Sequence, residues 1–159
     1  MSQANMQDML KVRNLTGWDV SFPRLLSSGA MDVGINIAKG AFVMLTRAEV
    51  YAQLDAKNIL FVGEDGFGKH ARVFIEDKSA RVYGGFETDD DKSKQDILTD
   101  EKIVEIFEYK TQSVFEKYIK ECIVTDAEKE RIISAIKRLG INDYKKIQFV
   151  ENYTGYKVG

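Results

Sequence analysis

The sequence predicts an α+β fold: a small β-barrel or sandwich with one inserted short helix, followed by a three-helix unit. Three observations lead there. Nine of the 12 glycines lie between Gly17 and Gly85, and only Gly140, Gly155 and Gly159 follow. Glycine supplies turns at positive φ, so the first region reads as strand-rich and the second as helical. The hydrophobic period changes accordingly, from two in the first region to about 3.6 in the second. Three threonine-led capping sequences then mark helix starts.

Residues 1–10 read as an N-terminal arm and not as a signal peptide, because no charged segment precedes an apolar run. The β-domain covers residues 11–86. Its first strands are expected at 11–15 and 18–22, with Pro23 ending the second because proline cannot donate to a ladder. Residues 31–37 read as a strand in which Val33, Ile35 and Ile37 alternate with Gly34 and Asn36. A turn at Lys39-Gly40 leads to a strand at 41–45. A helix is expected over 47–54. Thr46 caps it, Glu49 returns the bond, and Leu45 staples to Val50. Residues 58–62 and 69–76 read as two strands around a glycine-rich turn, and 77–84 as one or two helical turns. Residues 87–97, with Asp89-Asp90-Asp91, read as a solvated acidic linker.

The helical unit covers residues 98–159. Thr99 opens a first helix whose stripe runs Ile103, Ile106, Phe107, Val114, Phe115, Tyr118 and Ile119. Thr125-Asp126-Ala127-Glu128 is a second start, with Ile132, Ile133, Ile136 and Leu139 inward and Gly140 as the stop. A third helix begins at Asn142 or Asp143, carries Ile147, Val150 and Tyr153, and closes at Gly155.

Charge narrows the partners. Formal net charge is −2; the first 96 residues hold 12 Lys and Arg against 14 Asp and Glu, and the last 63 hold 11 of each. Neither half is a basic nucleic-acid reader, and no apolar run reaches the roughly 20 residues that span a membrane. With one histidine and one cysteine, the chain falls short of a zinc ligand set and has no internal disulfide. Cys122 reads as a half-buried helix residue. No cofactor is expected.

One segment comes close to phosphate chemistry. Gly63-Glu64-Asp65-Gly66-Phe67-Gly68-Lys69-His70 has the spacing of a phosphate-binding loop up to its last position. His70 stands where a magnesium-holding hydroxyl belongs, and Glu64 and Asp65 would repel phosphate. The residues that follow alternate as a strand, whereas the motif needs a helix N-terminus. The segment therefore reads as a hairpin loop with Asp65-Gly66 at its tip. Phe67, Lys69 and His70 on this loop are candidate partner contacts. Ser27-Ser28-Gly29 lacks the first glycine of a nucleophile elbow. Residues 132–150 could form a helix-turn-helix offering Lys145 and Lys146 to phosphate, but the local charge is balanced, and structural packing is the favoured reading. Lys145 and Lys146 complete the candidate contacts. No catalytic residue is assigned.

The segments Lys11-Val12-Arg13-Asn14-Leu15-Thr16, Gly17-Trp18-Asp19-Val20-Ser21-Phe22-Pro23 and Leu45-Thr46-Arg47-Ala48-Glu49-Val50 resemble small accessory proteins of tailed bacteriophages. The resemblance covers roughly residues 11–75. Such proteins place a compact β-barrel ahead of helices. It implies a virion component of capsid, neck or tail, found in the particle or the host cytoplasm, non-enzymatic, and working through contacts with other protein subunits or copies of itself. It carries over no functional residue. The rival readings are a nucleic-acid-binding regulator using the barrel and the C-terminal helices, and a nucleotide-dependent enzyme using residues 63–70.

Overall fold

A computed structural model describes residues 5–26, 34–90 and 92–159. The expected strand start at 31–33, the Ser27-Ser28-Gly29 segment, Asp91 and the first four residues of the arm lie outside the described residues. The chain divides into two compact units, Met1–Ile97 and Leu98–Gly159.

The described residues of the first unit form five strands and three short helices: β1 Met9–Asn14, β2 Val20–Phe22, β3 Ile35–Ile37, β4 Phe42–Thr46, α1 Arg47–Asp55, α2 Ile59–Val62, β5 Val73–Ile75 and α3 Lys78–Tyr83. The strands form an antiparallel three-stranded sheet in the order β4-β1-β5 and a separate two-stranded ribbon, β2-β3. Mixed α+β architecture is as expected. The described strands make no closed barrel. One expectation fails, because residues 58–62 are not a strand. Asn58 caps a helical turn there, its side chain accepting from Leu60 N–H at 3.0 Å, so no hairpin forms around the glycine-rich turn.

Side-chain alternation on β1 divides the sheet into two faces. Leu10, Val12 and Asn14 point into the core, where Leu45, Val73, Ile75, Val50, Leu54 and Phe61 join them. Phe22 of the ribbon meets Phe61 edge-to-face at 5.2 Å. Asn14 joins ribbon to sheet. Its amide nitrogen donates to the carbonyls of Trp18 (2.8 Å), Ile37 (3.0 Å) and Ala38 (3.2 Å). Its oxygen accepts from the N–H and hydroxyl of Thr16.

Helix α1 starts where expected, with Thr46 Oγ1 accepting from Glu49 N–H. Glu49 does not return the bond. Its buried carboxylate instead accepts from Leu25 N–H and Leu26 N–H, both at 3.0 Å, and from the Gln53 amide. Arg47 is buried too. It donates to Asp77 Oδ2 (2.8 Å), Ser79 Oγ (2.7 Å) and Asn5 O (3.2 Å), tying the arm and the cap of α3 to α1. The residues after α3 are not a solvated linker throughout. Glu87 is buried and ion-paired with Arg81, and Gln95 Nε2 donates to Gly68 O at 3.1 Å.

The second unit has four helices where three are expected: α4 Asp100–Phe107, α5 Gln112–Cys122, α6 Asp126–Leu139 and α7 Tyr144–Thr154. The first expected helix is broken at residues 108–111. Thr99 and Thr125 cap α4 and α6, the latter through a complete capping box with Glu128. Gly140, at φ 68°, ends α6 in the left-handed region. The core is built from Ile103, Ile106, Phe115, Ile119, Ile123, Ile132, Ile136 and Val150.

Two outcomes follow from these networks. Asn14→Ala removes the amide donor shared by the carbonyls of Trp18, Ile37 and Ala38 and the acceptor of Thr16 N–H; Trp18 O keeps the Thr16 hydroxyl and Ala38 O keeps Ala41 N–H, so urea denaturation should show a loss of about 2 kcal/mol. Burial pulls the Asp77 carboxyl upward, but hydrogen bonds from Arg47, Ser79 and Ala80 N–H outweigh it and hold the group below its ordinary range. Its stabilisation is therefore complete above the ordinary aspartate pKa of about 4 and is lost as pH falls through the lower folded value. Asp77→Asn should cost about 2 kcal/mol at neutral pH and reduce the steepness of the acid-unfolding curve.

Candidate functional site

Three places carry the candidate residues: the loop between α2 and β5, the start of α7, and the solvent-facing side of the three-stranded sheet.

The loop is a closed hydrogen-bonded turn. Glu64 N–H donates to Lys69 O (2.8 Å) and Gly68 N–H to Val62 O (2.7 Å). Phe67 N–H and Lys69 N–H both donate to Asp65 Oδ1, at 2.8 and 3.1 Å. A phosphate loop holds such amides open to an anion at a helix N-terminus. Here the Asp65 carboxylate occupies that position, and the order of elements is helical turn, loop, strand. Gly63, at φ 71°, is required because a Cβ there would stand 2.0 Å from Lys69 O. Phe67 lies over Gly85 and is 63% exposed, and Lys69 is exposed beside it. His70 is buried, at φ 60°, and so offers no surface to a partner.

The two lysines of α7 separate. Lys145 is exposed and borders an open depression with Gln112, Glu116 and Gln148. Lys146 is buried. Its ammonium donates to Phe107 O (2.5 Å) and Tyr109 O (2.7 Å), and lies 5.4 Å from the Phe115 ring centroid. It closes the C-terminal end of α4 and is withdrawn from any phosphate. Helices α6 and α7 do form two helices around a Gly140 turn, but only Lys145 of the pair faces outward.

The sheet face went unnoticed in the sequence. Met9, Lys11 and Arg13 of β1 point away from the core, as do Phe42 and Met44 of β4 and Phe74 of β5. In register, Phe42, Arg13 and Phe74 form one row across the three strands, and Met44 lies opposite Lys11. Met9, Phe42 and Met44 are 53%, 45% and 44% exposed. Lys11 Nζ lies 4.3 Å and Arg13 Cζ 5.5 Å from the Phe42 centroid, and Arg81 covers Phe74. Glu76 sits beside both cations, at 2.9 Å from Arg13 and 3.8 Å from Lys11. The signal available in the sequence is Phe42-Val43-Met44-Leu45, which is apolar on both faces of a strand that has one core to fill.

Among the described residues no group of three or more His, Cys, Asp or Glu side chains is placed to hold a metal ion. No helix among them is long and apolar enough to cross a membrane. Comparison with family models, curated proteins and solved structures finds no match.

The two lysines give a direct check of the α7 assignment. Lys146→Met keeps the stem but leaves two carbonyls without a donor, and should cost about 3 kcal/mol in urea denaturation. Lys145→Ala should stay within about 0.5 kcal/mol of the parent.

Proposed function

We propose that this chain is a non-enzymatic structural or adaptor protein that docks on another protein subunit through the solvent-facing side of its three-stranded sheet. The supporting observation is the exposure of Met9, Phe42 and Met44 on one face of the sheet, with Lys11 and Arg13 stacked against Phe42. Aromatic residues, methionine and arginine are the types enriched in protein interfaces, and clustered apolar exposure marks such sites where scattered exposure does not. The two cations stand on the central strand of the face and are partly neutralised by Glu76, which suits a protein contact more than an electrostatic reader. For the assembly itself, the resemblance of residues 11–75 to tailed-phage accessory proteins supports a virion, with the chain in the capsid, neck or tail.

A second reading draws on the same face. Cations over an exposed aromatic ring on an antiparallel sheet can serve as a stacking platform for single-stranded nucleic acid. Glu76 weighs against it, because its one negative charge, shared between Lys11 and Arg13, offsets half of theirs.

Mass spectrometry of gradient-purified phage particles tests the leading reading. The chain should be present at a fixed copy number, and Met9→Glu or Phe42→Ser should each lower that number about tenfold while leaving the urea midpoint unchanged. Absence of the chain from particles would remove the virion assignment, and variants incorporated as well as the parent would remove the sheet face as the docking surface. Titration of mixed-sequence single-stranded DNA and RNA at low salt should be flat; saturable binding that weakens steeply with salt would favour the second reading instead.

A further inference from the structure

The two outer edges of the three-stranded sheet are treated differently by the rest of the first unit. The parity of the ladder follows from two bonds, Asn14 N–H to Ala41 O and Arg47 N–H to Asp8 O, each 2.8 Å. With the observed register, Val12 pairs with Val43 and Leu10 with Leu45 through backbone hydrogen bonds. The N–H and C=O groups of Phe42 and Met44 therefore point away from β1, toward the outer edge. Among the described residues no backbone or side-chain group bonds to them. The opposite edge is met by the same unit: Arg81 Nη1 donates to one outward carbonyl, Ile75 O, at 2.7 Å, and Val73 and Ile75 are buried where Phe42 and Met44 are exposed.

A strand edge left open is normally blunted by a charged side chain, a proline or a bulge. Strand β4 reads Phe-Val-Met-Leu-Thr and has none of these. We infer that the outer edge of β4 pairs antiparallel with β4 of a second copy of this chain, extending two three-stranded sheets into one of six. The strand is complementary to itself about a two-fold axis. Placing Phe42 opposite Met44 of the second copy, and Val43 opposite its own equivalent, forms four N–H···O bonds from the four outward groups on each side of the axis. Phe42 and the opposing methionine then share the solvent face, where sulfur and ring attract. No charge in β4 opposes a like charge. Lys11 and Arg13 of the two copies stand three strand spacings apart, roughly 14 Å, beyond the Debye length of about 8 Å at physiological salt. A five-residue edge falls short of the roughly 1,000 Å² of a stable interface, so the dimer forms weakly and strengthens with local concentration. The pairing uses backbone groups and stands whether or not the sheet face binds another protein.

Sedimentation equilibrium of the full chain, from about 10 µM to about 1 mM, tests this. The average mass should rise from monomer toward dimer with concentration. Met44→Lys puts a charge on the edge, and Met44→Pro removes one outward N–H while sparing the inward ladder. Each should raise the dissociation constant at least about tenfold. Met9→Glu, which disables the sheet face, should leave dimerisation within about twofold. Amide exchange at Phe42 and Met44 should slow as concentration rises. A parent that stays monomeric throughout would overturn the inference. So would Met44→Lys folding normally and dimerising as tightly as the parent, or protection that rises elsewhere and not in β4.

Discussion

The first unit depends on one amide. Asn14 ends the central strand at the point where sheet and ribbon must join without sharing a ladder. A ribbon of two three-residue strands is marginal alone in water. It is held because the Asn14 nitrogen reaches carbonyls on both of its strands' outer ends, at Trp18, Ile37 and Ala38. A hydroxyl or a carboxylate could not do this, since the site needs two donors and an acceptor in one flat group. Thr16 supplies the matching donors, and the Asn14 and Thr16 side chains are both buried, where an unmade bond is most costly.

The second unit has its own long-range device. By periodicity, Ile103, Ile106 and Phe107 run on through Val114 and Phe115, so a single helix is the natural reading. At the break between α4 and α5 stands Lys146, which lies 39 residues from Phe107 in sequence and caps the carbonyls of Phe107 and Tyr109. No local pattern announces it. The same lysine looks like a surface cation when read within its own helix. Its burial only becomes intelligible once the end of α4 is beside it. The missing break and the misplaced lysine meet at this one contact.

What was legible in the sequence was what is decided within four residues. Thr46, Thr99 and Thr125 each accept from the backbone N–H three residues on, as their sequences imply. Gly140 and Gly155 end their helices in the left-handed region. Short apolar runs were not legible. Asn58-Ile59-Leu60-Phe61-Val62 has the composition of a strand, and only the Asn58 side chain, accepting from Leu60 N–H, turns it into a helix. At the loop, the letters allowed phosphate binding and the following strand argued against it. The decisive feature, Asp65 accepting from the two amides an anion would need, is a matter of geometry. Glu49 shows the limit from the other side: its spacing fits a capping box, yet a buried carboxylate is drawn to the stronger demand of two peptide N–H groups at Leu25 and Leu26.

Register makes the sheet face more than an accident of packing. Asn14 can lie only on the inward side of β1, because its partners are there. That sets Leu10 and Val12 inward and Met9, Lys11 and Arg13 outward, since a slip of one residue exchanges the faces. Strand β4 inherits the same assignment, so Leu45 is inward and Phe42 and Met44 are outward whatever their own preferences. The fold needs the inward side chains and would be served as well by threonine or lysine at the outward ones. The proposed docking would give a use to these apolar residues, which stand where the core cannot use them.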